Sequence, residues 1–230
     1  MLSHIHIIRH GITEGNMKQL MYSNTDLPLI QQGIDEIAEL ASHNVYPACE
    51  NAEYYTSGLL RTEQTLAMIY GKRKHHKVWG LHEMEFGAHE NKTFDELNAD
   101  PEYRQWMADE TGEAELPGGE SMNGFKRRVI EAFEEVCQEH FARVQAAEAS
   151  AAASTGAEFS ELADTESEEA ESSGPETVDT VVVCHGGPIS VIMEYCFPEE
   201  KEHMFLWMPD PGHGFTIEYE DDKPVRQERF

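Results

Sequence analysis

The chain has 230 residues, 40% of them hydrophobic, enough to bury one substantial core and short for two independent ones. Its 44 acidic residues against 17 basic ones give a formal net charge of -27, and a surface of that sign repels nucleic acid and anionic membranes, so neither is expected as a partner. The four cysteines, Cys49, Cys137, Cys184 and Cys196, are scattered without a Cys-x-x-Cys pair, which fits neither a zinc site nor a dense disulfide framework.

Strand-like residues begin directly after Met1-Leu2, leaving no room for a charged leader and its apolar segment, and no apolar run approaches membrane-spanning length. A cytoplasmic protein with reduced thiols is therefore expected. Residues 4 to 8 read as a first strand that ends in Arg9-His10-Gly11, a cation, an imidazole and a glycine at the edge of a sheet. The step from Gly11 to Thr13 reads as the start of a helix carrying Glu14 and Asn16, with Thr13 as its N-cap and free amide groups suited to a phosphate oxygen.

Ile34, Ile37, Ala38 and Ala41 recur at helical spacing, which predicts an amphipathic helix over 31–43. A second strand follows at Glu53–Thr56 and a helix over Leu59–Tyr70, with Arg61 in its first turn. A cation there opposes the helix dipole unless an anion lies between them. The basic run from Lys72 to Lys77, with His75 and His76, reads as a solvated turn before a strand at Val78-Trp79. His4 and His6 share one strand face, and His82 and His89 stand further on, but no His-Glu-x-x-His motif is present and no metal site is expected.

Residues 93–108 read as one or two short helices broken at Pro101, with Trp106 and Met107 available to line a pocket. From Met122, the stripe Phe125, Val129, Phe133, Val136 and Val144 predicts a long helix packed on the sheet. After Val144 the composition turns to Ala, Ser, Glu and Thr, with no lysine or arginine between Arg143 and Lys201, and residues 146–177 read as a disordered acidic loop. Val178 to Cys184 is a continuous apolar run, as in a parallel strand buried on both faces. It ends at His185-Gly186-Gly187, with Pro188 fitting the first position of the next helix. Phe215–Tyr219 and Pro224–Glu228 complete the chain as an edge hairpin. The alternation of strands and helices gives an α/β class.

Arg9-His10-Gly11 with Thr13 and Asn16 resembles the signature of the histidine phosphatase superfamily, in its phosphoglycerate mutase-like branch. Further matches follow in order: Asp26-Leu27-Pro28-Leu29 with Gly33, then Ser57, Leu60, Arg61 and Thr65. Leu81-His82-Glu83 with Phe86-Gly87 comes next, then Pro117-Gly118-Gly119-Glu120-Ser121 with Arg128, and finally His185-Gly186. The resemblance runs from residue 5 to about 196 and implies one domain over 1–230: a three-layer sandwich whose mostly parallel, six-stranded sheet is flanked by helices. Within it the 146–177 loop is an insertion.

The resemblance implies His10 as a nucleophile that forms a phosphohistidine and Glu83 as the proton donor, with Glu85 and Glu90 as rivals by proximity. It also implies a phosphate cradle of Arg9, Asn16, Arg61, a protonated His185 and Gly186, with Gly11 and Thr13 lining the substrate side. No cofactor and no metal enter this chemistry. The expected activity is metal-independent hydrolysis of a small phosphorylated metabolite, close to alpha-ribazole phosphatase and broad-specificity phosphatases. Two alternatives stay open: a phosphoglycerate mutase-type phosphotransferase, and a phosphate-binding protein without turnover. The stretch from Glu83 to Glu120 is short for a mutase and has few basic residues. The expected partners are the substrate and, at most, a second copy of the chain in a homodimer.

The charge balance generates a prediction. With an anionic substrate, kcat/KM should rise at moderate salt as the repulsion is screened, and rise less after deletion of the acidic loop, once competition by the added anion is controlled. A flat or falling response in both proteins would remove a role for global repulsion.

Overall fold

The computed structural model describes residues 1–49, 51–157 and 177–230. At its centre, six strands form one sheet: β1 (Ser3–Arg9), β3 (Glu53–Thr56), β4 (His76–Lys77), β6 (Val178–Cys184), β7 (Gly214–Glu220) and β8 (Lys223–Arg229). Across the sheet they stand in the order β4-β3-β6-β1-β7-β8. β4, β3, β6 and β1 run parallel, and the β7-β8 hairpin adds antiparallel to the free side of β1. A separate two-stranded ribbon joins β2 (Leu20–Met21) to β5 (Lys92–Thr93).

Towards the His10 end, β1 and β6 are apolar on both faces because both are covered, the usual condition of central parallel strands. Ile5, Ile7 and Val182 pack with Phe125, Val129 and Phe133 of α6 (Met122–Ala157) and Ile189 of α7 (Gly186–Cys196). Ile8, Val181 and Val183, pointing the other way, pack with Ile37 of α2 (Gln31–Ser42) and Leu66 of α3 (Leu60–Tyr70). The result is the expected helix–sheet–helix sandwich. The short helices α1 (Glu14–Met17), α4 (Phe94–Ala99) and α5 (Pro101–Met107) lie outside the sheet layers, and Asp100, which caps α5, precedes a proline at its first position.

Three expectations are corrected. The strand expected at Val78-Trp79 lies two residues earlier, at His76–Lys77, while Trp79–Leu81 forms a 3-10 turn. This turn comes so close to α6 that a Cβ on Gly80 would stand 2.5 Å from the Ala132 Cβ, so the chain bends where a strand would collide. Pro188 is the third residue of its helix, not the first; none of the opening N–H groups has an intrahelical partner, so a proline costs nothing there.

The third correction concerns 146–177: α6 continues through 146–157, and the remainder of that stretch, 158–176, lies outside the described residues. Six alanines between 146 and 153 carry high intrinsic helix propensity, so a helix already nucleated on its buried stripe propagates past the last core contact. Burial alone, which sets the expected loop, does not register that propensity.

α6 is also tied to the sheet by a polar contact. His140 is buried, with Nδ1 against Thr180 Oγ1 at 2.9 Å and Nε2 against Ser3 Oγ at 2.9 Å. Burial first, then Arg143, lowers its pKa to about 4. A histidine depressed in the fold leaves stability intact above the unfolded value near 6.5 and costs stability as pH falls from there toward about 4, because the unfolded chain gains a proton the fold refuses. The loss from this residue is up to about 3 kcal/mol. Urea unfolding across that window should show a smaller pH-dependent loss for His140→Gln than for wild type; equal slopes would sever the link to this residue.

Candidate active site

The parallel register places Arg9 beside Cys184, so the residues that follow, His10 and His185, leave the sheet side by side. Their ring centroids are 5.1 Å apart, edge to face. The His10 amide still donates to the Cys184 carbonyl at 3.0 Å, which ties the two strand ends together. His10 Nδ1 stands 2.7 Å from the Gly11 carbonyl. A carbonyl only accepts, so Nδ1 carries the hydrogen and Nε2 keeps its lone pair. Burial, then Arg61 and Arg9, holds the His10 pKa well below its usual value, so the ring is neutral.

Gly11 permits this close layering. A Cβ there would lie 2.5 Å from the Ile37 Cδ1 of α2, and its amide is taken by Thr65 Oγ1 at 3.0 Å. Arg9 donates through Nη1 to the Pro209 carbonyl at 2.7 Å, while its buried Nε has no partner among the described residues.

Arg61 is fully buried at the start of α3. Its Nη1 donates to the Thr25 carbonyl at 3.0 Å, Nη2 to the Ser23 carbonyl at 2.9 Å and Nε to His185 Nδ1 at 3.2 Å. These acceptors offset the unfavourable helix dipole noted in the sequence, and the Tyr22 ring lies 4.8 Å from the guanidinium carbon. Because Arg61 only donates, His185 Nδ1 must accept, so the His185 proton sits on Nε2 and points to Ser57 Oγ at 2.8 Å. Burial, Arg61 and His10 all press the His185 pKa well below its usual value. His185 therefore stands neutral, not as the protonated group expected, because a third cation beside two buried arginines has no partner.

Thr13 and Asn16 form a reciprocal cap at α1: Asn16 Oδ1 accepts from the Thr13 amide at 2.9 Å and its hydroxyl at 3.0 Å. Tyr22 closes this group, its hydroxyl 2.6 Å from Thr13 Oγ1. With Oδ1 so held, the Asn16 side chain stands at the cavity as a fixed polar edge.

Glu83 enters from the opposite side. Its Oε2 accepts from the Gly187 amide at 3.0 Å, at the start of α7, and its Oε1 from the Met84 amide at 3.1 Å. The carboxylate thus stands at a helix N-terminus, where negative charge is favoured. Its backbone is clamped by Ser23 Oγ, which donates to the Glu83 carbonyl at 2.6 Å, and by Arg128, which reaches the Gly80, His82 and Glu83 carbonyls while paired with Glu120 through two 2.7 Å contacts. The two rival acids have other work. Glu90 Oε1 accepts from both Ser23 and Thr25 amides and the Thr25 hydroxyl, pinning that loop, and Glu85 faces His82 at 3.1 Å.

Arg9, His10, Asn16, Arg61, Glu83 and His185 converge on one cavity. Gly11, Thr13 and Gly186 lie behind it as spacers; a Cβ on Gly186 would stand 3.2 Å from the Arg9 guanidinium. Above this polar floor the walls are apolar, from Met21, Met84, Phe86, Phe125, Phe205 and Met208, with Tyr103, Trp106 and Met107 of α5 forming one side. Residues beyond the sequence-based set also belong here: Gly187, Ser57 and Tyr22. Gly187 stood in the sequence as the second glycine after His185, and Ser57 within the Ser-x-x-Leu-x-Arg match, but their contacts depend on partners far along the chain.

Fold and cavity together define an α/β protein with a neutral strand-end imidazole beside the Arg61 and Arg9 guanidinium groups. A family model, the histidine phosphatase superfamily (branch 1), matches residues 5–147. The chain belongs to that superfamily.

Relatives include the probable phosphoglycerate mutase GpmB of Yersinia pestis (strain Pestoides F), 31% identical over 140 residues, 54% of this chain and 59% of the relative. That of Serratia proteamaculans (strain 568) is 32% identical over 136 residues, 56% and 61% of the two chains. The match thus spans about three fifths of the curated relatives' length. Among solved structures, the Escherichia coli K-12 protein named "putative alpha-ribazole-5'-P phosphatase" superposes with a TM-score of 0.67 at 21% identity, covering 99% of this chain and 94% of that one. A phosphoglycerate mutase from Thermus thermophilus gives 0.61 at 20% identity, covering 97% of each chain. Both likenesses are of fold, a mostly parallel sheet between helical layers.

The contact between Gly187 and Glu83 can be tested. A Cβ at Gly187 would fall 2.0 Å from Glu83 Oε1, so Gly187→Ala must push the carboxylate from its seat. Turnover of a phosphomonoester should fall by about 10²-fold or more, the weight of a positioned acid, with inhibition by orthophosphate unchanged. Unaltered turnover would show that this seat has no part in the chemistry.

Proposed function

We propose that the protein is a metal-independent phosphomonoester hydrolase working through a phosphohistidine on His10. The observation that carries this reading is the buried, neutral His10, oriented by the Gly11 carbonyl and flanked by Arg9 and Arg61. His10 Nε2 attacks phosphorus in line, the bond from phosphorus to the ester oxygen breaks, and Glu83, entering this step protonated, gives the leaving oxygen its proton and is left as the carboxylate. Glu83 then takes a proton from water, whose oxygen attacks the phosphohistidine, releasing orthophosphate and restoring His10.

The transition state spreads negative charge over the equatorial oxygens. Arg9, with its unpartnered Nε, Arg61 and Asn16 are the groups that hold those oxygens. His185 contributes as an oriented neutral ring that fixes Arg61, with Gly11, Thr13 and Gly186 behind the floor as spacers.

The cavity also supports hydrolysis over mutase chemistry. Among the described residues that line it, Arg9 and Arg61 are the only arginines or lysines, and both face the phosphate floor. A phosphoglycerate would bring a carboxylate as well, with no cation left for it. The apolar walls suit a phosphomonoester with an aromatic or otherwise apolar body. The mutase reading draws its support from the names of the relatives.

The test is phosphate release from aryl phosphates, sugar phosphates and 3-phosphoglycerate in the presence of chelator. Wild type should release phosphate, favour the aryl esters, and lose activity in His10→Ala. Transfer between hydroxyls with little hydrolysis would establish a mutase, and phosphate binding without turnover on any ester would establish a binding protein.

A further inference from the structure

At the far end of the central strand pair, about 20 Å along β1 from His10 by strand rise, lies a second group of ligand-type side chains. His4 and His6, two apart on β1, lie on the same face of the sheet, and the register sets His4 beside Asp179 of β6. His4 Nδ1 is 3.0 Å from Asp179 Oδ1 and His6 Nε2 is 3.5 Å from that same oxygen. All three ligand atoms fall within 4.8 Å of one another.

The decisive feature is His6. Its side chain is 5% exposed, and Nε2 is buried with no hydrogen-bond partner among the described residues. Its other nitrogen, Nδ1, meets Thr216 Oγ1 at 2.9 Å, on the neighbouring strand β7. When Thr216 accepts from Nδ1–H, Nε2 carries a lone pair that faces the Asp179 carboxylate oxygen 3.5 Å away, an arrangement that a shared cation would satisfy.

The spacing suits a metal ion. With metal–nitrogen and metal–oxygen bonds of about 2.0–2.1 Å, the edge of a tetrahedron is about 3.3–3.4 Å, between the two observed separations. His4 and Asp179 are 20% and 18% exposed, which leaves a route for an ion and a place for water as fourth ligand.

We propose that His4 Nδ1, His6 Nε2 and Asp179 Oδ1 form a binding site for a borderline divalent ion, Zn²⁺ foremost, with Thr216 orienting His6 from outside the ligand shell. Two imidazole nitrogens and one carboxylate select such an ion over Mg²⁺ or Ca²⁺, which prefer all-oxygen shells. The proposal departs from the sequence-based expectation of no metal, since the third ligand comes from a strand 175 positions away. An ion here would cross-link the two central strands at the end remote from the phosphate site, a structural staple with no place in the proposed hydrolysis.

The test uses tag-free, chelator-dialysed full-length protein, titrated calorimetrically with ZnCl₂. Saturable binding at one site per chain is expected, with a rise in Tm and no competition from Mg²⁺. His4→Gln, His6→Gln and Asp179→Asn should each abolish it, and Thr216→Val should weaken it by about 10- to 100-fold, the usual effect of losing an orienting partner. His76→Gln, an exposed histidine elsewhere, should bind as wild type does. Circular dichroism checks that each variant folds, and the partly exposed His4→Gln keeps the test decisive if a buried substitution does not. Absence of binding, or binding equal in wild type and the folded variants, would overturn the site and leave a proton as the link between His6 and Asp179. Phosphate release measured in chelator is independent of either outcome.

Discussion

Two guanidinium groups packed against two buried imidazoles impose the constraint on which this structure turns. Arg61, His10 and His185 are buried and the Arg9 Nε is buried beside them, so four groups able to carry positive charge share one small volume with little water to screen them. Both arginines stay cationic despite burial, so both histidines must stay neutral. The hydrogen-bond pattern records this: His10 donates to a carbonyl, and His185 accepts from Arg61 and donates to Ser57. A bound anion would relieve the positive potential of the two guanidinium groups, and under the proposed function the same neutrality leaves His10 Nε2 with the lone pair that attacks phosphorus.

The β1-β6 pairing turns that constraint into geometry. Because the strands are parallel and in register, both histidines emerge at the same edge, each next to a glycine and close to a helix start. The apolar runs that specify these strands are continuous, and so are among the most legible features of the sequence; β1, β3, β6, α2 and α3 lie within a residue or two of where the pattern puts them. What was less legible depended on contacts distant in the chain. The shift of β4 follows from Gly80 meeting Ala132, and the extension of α6 from alanine propensity carrying a helix beyond its last buried residue. Neither shows in a local hydrophobic period.

The same division runs through the site. Residues that form the cavity floor lie in short motifs and could be named from them. The residues that hold the floor in place could not be assigned roles, because their partners are 35 to 128 positions away: Ser57 with His185, Gly187 with Glu83, and the Arg128–Glu120 clamp that reaches back to the Glu83 loop. Charge state was equally hidden. Sequence alone supplied a histidine where positive charge would be useful; only the direction of the Arg61 N–H showed that His185 accepts and is neutral. The acid rivals were separated in the same way, since Glu90 is consumed by the Ser23–Thr25 loop.

Under the proposed function, floor and walls of the cavity contribute differently. Polar groups on the floor would meet charge that moves during reaction, so their interactions would differ between ground and transition state and lower the barrier. Apolar walls of Met, Phe and Trp meet a part of the substrate that does not change, so they bind both states alike and act through recognition. A superfamily can therefore keep one floor while its walls are rebuilt for new substrates, or for holding a phosphorylated intermediate away from water. Identity of about 31% with the probable mutases is confined to about three fifths of their length. The walls have to be read from this chain's own residues, and Met21, Phe86, Trp106 and Phe125 form an apolar surface with no lysine or arginine beside them, among the described residues, other than the two on the floor.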